Sequence, residues 1–238
     1  MQLLLVLTLI VGLTVVQSVF GIGLLLFGTP LFLLLGYGFT ETLALLLPCS
    51  LAVSAIQAAR AWRQLELRGD YLRYCLPAVF LALGWVLLRA RGFNLRLGVG
   101  VLMLGTGLLR ASPRARARVQ GVCRQWRRSA LTAIGLLHGL TNMGGGLLSV
   151  FVGSLGWEKA ATRGNIACGY LLMAACQLAV LAALHPQAFH ATNWPLPLLS
   201  AATYWLLGER VFTAASETGF QGSLTVFIAL IGAALLIS

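Results

Sequence analysis

Three consecutive glycines interrupt an apolar stretch of the sequence, in HGLTNMGGGLLSV at residues 138–150. Glycine is a poor helix former, so Gly144, Gly145 and Gly146 predict a break in a helix. A helix that restarts after such a break has backbone N–H groups without intrahelical acceptors, and it carries the positive end of its dipole there. Both properties suit an anion. The glycines therefore predict an anion site, and close packing between helices is the alternative explanation.

Polar side chains precede these glycines inside the same apolar stretch. Thr141 and Asn142 lie directly before them, and His138 lies one helical turn earlier. Polar groups are costly in lipid and are expected to face the protein interior, so we expect Thr141 and Asn142 to line the anion site. Imidazole titrates near physiological pH, which makes His138 either a hydrogen-bonded helix residue or a group that couples transport to protons.

A shorter glycine motif, GIG, contains Gly21 and Gly23 near the N-terminus. Ser50 lies in the next apolar block, and Asn165 and Gln177 lie in a block of the second half. Polar residues thus cluster at matching places in the two halves of the chain, which favours a shared pore. Hydrogen bonding between helices is the alternative role for each polar residue.

The sequence lacks the common catalytic motifs. It contains no HExxH, no GxSxG and no GxxxxGK[ST], so we expect no enzymatic activity. The five cysteines form no CxxC pair and no metal-ligand spacing, so no metal and no other cofactor is expected. Only six Asp and Glu occur in the chain, which argues against cation transport.

The elements that must position these residues are membrane helices. The chain has 238 residues, of which 59% are hydrophobic and 10% are charged, whereas a soluble domain is about 25% charged. The apolar residues form blocks, and a helix needs about 20 residues to cross a bilayer. The sequence therefore predicts an all-α, polytopic membrane protein with about eight transmembrane segments.

The apolar blocks form two sets of four. In chain order they are 3–35, 42–62, 71–89, 95–110, 130–155, 160–184, 194–208 and 220–238. The first block of each set contains one of the glycine motifs and is predicted to form a broken, hairpin-like segment. We therefore predict an internal duplication with repeats at 1–110 and 129–238.

Arginine predicts the orientation. The basic loop 111–128 and loop 60–73 are arginine-rich, whereas loop 185–193 has neither Arg nor Lys. Basic loops stay on the cytoplasmic side, so this pattern orients the two repeats oppositely. We interpret loop 111–128 as a topology signal or a contact with anionic lipid, and expect no nucleic-acid partner. Arg163 is either an interfacial anchor or a residue that attracts anions to a cytoplasmic entrance.

Residues 139–178 and 21–60 resemble the two repeat signatures of the TauE/SafE sulfite-exporter-like family, and Pro30 is in the expected Pro-Leu position. The first repeat departs from the pattern because it has GIG instead of a glycine triplet. The resemblance implies an inner-membrane permease for sulfite, sulfoacetate or similar anions. It assigns the substrate site to Asn142 and Gly144, Gly145 and Gly146, and more loosely to Gly21, Gly23, Ser50 and Asn165.

The combined expectation is a multi-pass permease that exports small anions by alternating access. Its partners would be the anionic substrate and membrane lipids, and a homo-oligomer is left open. A membrane-embedded assembly or scaffold protein is the main alternative, and a metal-ion permease is a weaker one.

Overall fold

The computed structural model describes residues 2–89 and 95–214. Every regular element in these two ranges is helical, and none of their residues forms a strand. Four of the helices are long and apolar enough to cross a membrane: Leu3–Phe20, Phe39–Arg60, Arg68–Arg89 and Lys159–Leu184. The predicted all-α, polytopic architecture is therefore confirmed. The predicted block 220–238 lies outside the described residues.

The first apolar block forms a helical hairpin. Helix α1 (Gln2–Phe20) is followed by a break at 21–23 and by α2 (Leu24–Leu34). Gly21 has φ +71°, a conformation that glycine adopts without the steric penalty of a side chain. Helix α2 folds back along α1, because a Cβ added at Gly28 would lie 3.2 Å from Leu13 Cδ1. The predicted break at the GIG motif is confirmed.

The second hairpin breaks slightly earlier than the sequence predicts. Helix α7 (Arg127–Thr141) ends before Asn142, which has φ 62°, and α8 (Gly145–Gly153) begins within the glycine triplet. Asparagine tolerates this left-handed conformation, so it makes the reversal. Gly145 and Gly146 belong to the first turn of α8. The predicted break is confirmed, but its predicted position at the three glycines is only partly right.

The two breaks share one hydrogen-bond pattern. The Gly21 N–H donates to Gln17 O at 2.8 Å, and the Asn142 N–H donates to His138 O at 2.7 Å. In each hairpin a glycine lies two residues after this donor, and its carbonyl accepts the first hydrogen bond of the returning helix. In the second hairpin Gly144 O accepts the Leu148 N–H at 3.0 Å. The segment equivalent to GIG is therefore NMG, and His138 is the equivalent of Gln17.

Two equivalent long helices form the centre of the bundle. These are α3 (Phe39–Arg60) and α9 (Lys159–Leu184), and each follows its hairpin. Gly164 near the start of α9 contacts Ala61 just after α3. Glu41 at the start of α3 and Ala188 after α9 line one cavity of about 380 Å³. The two helices are therefore antiparallel, as expected for inverted repeats.

The outer helices pack across the repeats. Helix α4 (Arg68–Arg89) packs on α7, where a Cβ on Gly139 would lie 2.6 Å from Val79 O. Residues 195–214 form α10, which packs on α1 with Gly208 against Ser18. The first arm of each hairpin, α1 or α7, thus contacts a helix from the other half of the chain. Both α4 and α10 contain a π-helical turn, at Tyr71–Cys75 and Tyr204–Gly208.

The bundle has an arginine-rich end and a far end. We define the arginine-rich end by residues 60–73 and 113–128, and the far end by residues 35–38 and 185–194. The basic segment predicted as a loop instead contains helix α6 (Pro113–Gln125), which follows α5 (Leu95–Ala111). Ser112 Oγ caps α6 by accepting the Ala115 N–H at 3.3 Å, and Pro113 occupies a favoured first-turn position. The repeat boundaries at 110 and 129 remain a prediction.

Candidate functional site

The backbone amide at the first break is bound by a protein side chain. Gln17 Oε1 accepts the N–H of Leu24, the first residue of α2, at 3.1 Å. Its Nε2 donates to Ser54 Oγ at 3.0 Å and to Ser50 Oγ at 3.3 Å. The predicted site residue Ser50 thus orients Gln17, and Gln17 takes the place that an anion would have at the start of α2.

The carbonyl groups at the end of α1 are also bonded. Gln57 Nε2 donates to Gln17 O at 3.0 Å and to Ser18 O at 3.1 Å. Arg163 Nη1 donates to Ser18 O, again at 3.1 Å. A break within a membrane is stable only when such groups find partners, and here the protein supplies them.

Gly21 and Gly23 make close contacts between elements at this first break. A Cβ added at Gly21 would lie 3.0 Å from Arg163 O and 3.1 Å from Ile166 Cγ2. A Cβ at Gly23 would lie 2.5 Å from Gln17 N. The first hairpin therefore needs glycine at both positions to pack against α9 and against itself.

The second break is held to the first hairpin by Asn142. Its Nδ2 donates to Thr29 Oγ1 of α2 at 2.9 Å. Thr141 Oγ1 accepts the Met143 N–H at 3.2 Å and donates to Leu137 O at 2.6 Å. The Asn142 Oδ1 atom is buried and has no hydrogen-bond partner within the described residues.

Three further polar side chains meet beside this break. His138 Nε2 lies 3.0 Å from Gln177 Oε1, and the His138 ring lies edge-on to Tyr170, with 5.8 Å between ring centroids. All three residues have no exposed surface. Within the described part of the chain, the Tyr170 hydroxyl, Gln177 Nε2 and His138 Nδ1 have no partner. Buried polar atoms are normally bonded, so these three atoms are candidates for contact with a ligand.

The three glycines bring these groups against the start of α8. A Cβ added at Gly145 would overlap the Tyr170 hydroxyl, one at Gly144 would lie 2.7 Å from His138 Cβ, and one at Gly146 would lie 2.8 Å from Thr106 Cγ2. Each glycine therefore serves close packing. That packing also places the free Tyr170 hydroxyl at the positive end of the α8 dipole.

Among the residues that the structure describes, the second site combines unpartnered donors, which an oxyanion could use, with one unpartnered acceptor, Asn142 Oδ1. A hydroxyl and an amide NH₂ are hydrogen-bond donors, and the N-terminal end of α8 adds a positive partial charge. The helices that form the site, namely α2, α7, α8 and α9, contain no Asp or Glu. Within the described residues, no group of three His, Cys, Asp or Glu is placed to hold a metal ion.

The Asn165 side chain bonds to neither break, although its helical turn packs on Gly21. Its Oδ1 accepts the Leu67 N–H at 3.1 Å, and its Nδ2 donates to Gln64 O at 2.7 Å and to Ala161 O at 3.0 Å. Two of these bonds anchor the loop between α3 and α4, and the bond to Ala161 O lies within α9.

The predicted residues therefore divide among three places. Those at the second break are His138, Thr141, Asn142, Gly144, Gly145 and Gly146; those at the first are Gly21, Gly23 and Ser50; Asn165 anchors a loop. Sequence analysis missed Tyr170. The available signal was spacing, since Tyr170 lies two turns before Gln177 just as Ser50 lies two turns before Gln57 on the equivalent helix.

Both hairpins and the long helices fall within one family match. The profile of the family described as "Sulfite exporter TauE/SafE" matches residues 4–235. No curated protein and no solved structure matches the chain. Because the match covers nearly the whole chain, the protein belongs to the TauE/SafE sulfite exporter family of membrane transporters.

Proposed function

We propose that this protein exports small anions, such as sulfite or organosulfonates, across the cell inner membrane by alternating access. The observation that carries the proposal is the difference between the two breaks. At the first break, Gln17 and Gln57 bind the amide of Leu24 and the carbonyls of Gln17 and Ser18. At the second, donors of Tyr170 and Gln177 are buried without a partner in the described residues, whereas the unpartnered atom of Gln57 at the first break is the acceptor Oε1.

The proposed substrate site comprises the start of α8, the Tyr170 hydroxyl and Gln177 Nε2, and Asn142 positions it by holding the break to α2 through Thr29. Gly144, Gly145 and Gly146 allow the close approach that forms it. Gly21, Gly23 and Ser50 support the first hairpin, and Asn165 supports the loop after α3. Transporters built from inverted repeats bind substrates at discontinuous helices in this way.

His138 is retained in the proposal as the proton-coupling group. It is fully buried, and its Nδ1 atom has no partner within the described residues. A proton on this nitrogen would add a positive charge next to the proposed anion. The absence of acidic residues from the four surrounding helices disfavours the alternative of a metal-ion permease.

The proposed orientation places the arginine-rich end in the cytoplasm. This follows the positive-inside rule for residues 60–73 and 113–128. The membrane potential is negative inside, so it favours the exit of an anion by about 2.3 kcal/mol per charge per 100 mV. Export of an anion therefore needs no dedicated ATPase.

The test is sulfite efflux from proteoliposomes that contain Tyr170→Phe. This change removes only the unpartnered hydroxyl, so thermal unfolding should stay unchanged. A hydrogen bond to a charged ligand contributes about 1.5–3 kcal/mol, which predicts an increase in KM of about tenfold or more. Tyr71→Phe is the matched control, because the Tyr71 hydroxyl donates to Asn165 O at 3.0 Å. The control should lose about 1 kcal/mol of stability and keep its KM.

Two results would contradict the proposal at different levels. A Tyr170→Phe variant with the wild-type KM would remove Tyr170 from the site. Wild-type proteoliposomes that move neither sulfite nor sulfoacetate would refute the permease itself.

A further inference from the structure

A second cluster of polar side chains lies at the arginine-rich end, around the carboxylate of Glu209. Glu209 Oε2 accepts hydrogen bonds from Arg60 Nη1 and from the Tyr204 hydroxyl, each at 2.7 Å. Arg163 Nη2 lies 3.5 Å from Glu209 Oε1. Two guanidinium groups thus share one carboxylate, and these four residues carry a net positive charge.

Arg163 is held in place independently of Glu209. Its Nη1 atom donates to Ser18 O at 3.1 Å, at the end of α1, and its guanidinium lies 3.4 Å from the centre of the Phe212 ring. The residue is 9% exposed. Arg163 would therefore keep its position if the Glu209 carboxylate moved away.

The same face of α9 connects this cluster to the second break. Arg163, Tyr170 and Gln177 follow one another at intervals of two helical turns, which corresponds to about 10 Å for each step. All three side chains are buried. A line of polar groups thus runs along α9 from the arginine-rich end to the unpartnered donors beside α8.

The far end of the bundle has no such cluster at the equivalent positions. Leu43 in α3 corresponds to Arg163, because each lies two turns before the residue that faces its break. The two long helices therefore differ at this position, which holds a cation near the arginine-rich end and an apolar side chain near the far end.

We infer that Arg163 and Arg60 form a capture site for the anionic group of the substrate, and that the Glu209 carboxylate occupies this site until a substrate oxyanion replaces it. The inference rests on the proposed anion permease and adds a direction to it. An anion that enters from the arginine-rich end meets this site first and then follows the face of α9 to Tyr170. At the far end, the position equivalent to Arg163 is the buried Leu43.

The experiment measures the KM for sulfite separately at each face, in inside-out and right-side-out membrane vesicles. The wild type should show the lower KM at the arginine-rich face. Arg163→Gln should raise that KM about tenfold or more and leave the KM at the far face within about twofold, while Arg163→Lys should recover part of the loss. Glu209→Gln keeps the side-chain volume but removes the competing anion, so it should lower the KM at the arginine-rich face at least threefold.

Arg127→Gln is the matched control at the same end of the bundle. Arg127 pairs with Asp70, away from the cluster, so its removal should leave both KM values unchanged. Thermal unfolding checks that each variant is folded. If Arg163→Gln does not fold, the Glu209→Gln variant decides the question alone, and an unchanged KM in it overturns the inference.

A second measurement separates this inference from the proposed function. The rise in unfolding temperature caused by sulfite in detergent needs no transport. If the wild type moves no anion, the permease is refuted. The capture site still stands if sulfite raises the unfolding temperature of the wild type and of Arg127→Gln but not that of Arg163→Gln. Equal KM values at both faces, or a rise that does not depend on Arg163, overturn the capture site.

Discussion

At the scale of single residues, the glycine triplet serves three different neighbours. Gly144 contacts the helix before the break, Gly145 the hydroxyl of Tyr170, and Gly146 the methyl group of Thr106. Packing and ligand binding, which the sequence presents as alternatives, are therefore linked at Gly145. Tyr170, which packs against Gly145, also brings its hydroxyl, unpartnered in the described ranges, to the start of α8.

Gly145→Ala should destabilise the folded protein. The added methyl group would overlap the Tyr170 hydroxyl, and overpacking of this kind costs about 1–3 kcal/mol. Gly153→Ala is the control within the same helix, since a Cβ there meets nothing within 4 Å. Thermal unfolding in detergent should show a melting temperature lowered by several degrees for Gly145→Ala alone. Equal melting temperatures for the two variants would contradict the close contact.

For Tyr170 the sequence offered only its spacing to Gln177, not the state of its hydroxyl. A tyrosine in an apolar block resembles any other large buried side chain, and its free hydroxyl becomes evident only when its surroundings are known. Asn142 was predicted from its polarity next to the glycines and from the family resemblance. Its left-handed backbone and its bond to Thr29 required the structure.

At the scale of elements, one break geometry is made from two different residues. Gly21 and Asn142 occupy equivalent left-handed positions, with φ +71° and 62°. The sequence predicted both breaks, but it aligned GIG with GGG because glycine was the visible signal. The alignment with NMG is hidden from sequence patterns, since asparagine and glycine share this conformation but little else.

Exchanging these two residues should have unequal effects. Asn142→Gly keeps the left-handed backbone and loses mainly the bond to Thr29, which predicts a loss of about 1 kcal/mol. Gly21→Asn keeps an allowed backbone, but its Cβ would lie 3.0 Å from Arg163 O. We expect a larger loss of stability for Gly21→Asn, measured by thermal unfolding. A larger loss for Asn142→Gly would show that the two breaks are not equivalent.

The basic segment between the repeats was the least accurate prediction of an element. Its arginine content indicated a loop, yet Ser112 and Pro113 begin a helix there. Charge predicts the side of the membrane, and it says little about backbone conformation in the aqueous phase.

At the scale of the whole molecule, composition and block lengths were enough to predict a polytopic helical bundle. The pairing of helices across the repeats was beyond the sequence. It depends on small contacts such as Gly139 against Val79 O, and scattered glycines in apolar blocks do not specify their partners.

The proposed orientation predicts the labelling of two single cysteines in a variant without the native ones. The two variants are Arg118→Cys and Gln187→Cys. Position 118 is exposed on α6, and position 187 is exposed at the far end. An impermeant maleimide should label position 118 only in inside-out vesicles and position 187 only in right-side-out vesicles. Labelling of both positions from one side would refute the orientation, and the reverse pattern would place the arginine-rich end outside.

The packing of α4 on α7 and of α10 on α1 also constrains how the chain matures. When residues 1–125 have left the ribosome, the α1 and α4 surfaces that these later helices cover still face lipid or a chaperone. The N-terminal half therefore has no finished structure to adopt during synthesis. A truncated chain that ends at residue 125 should be degraded, and a separately expressed C-terminal half should rescue it.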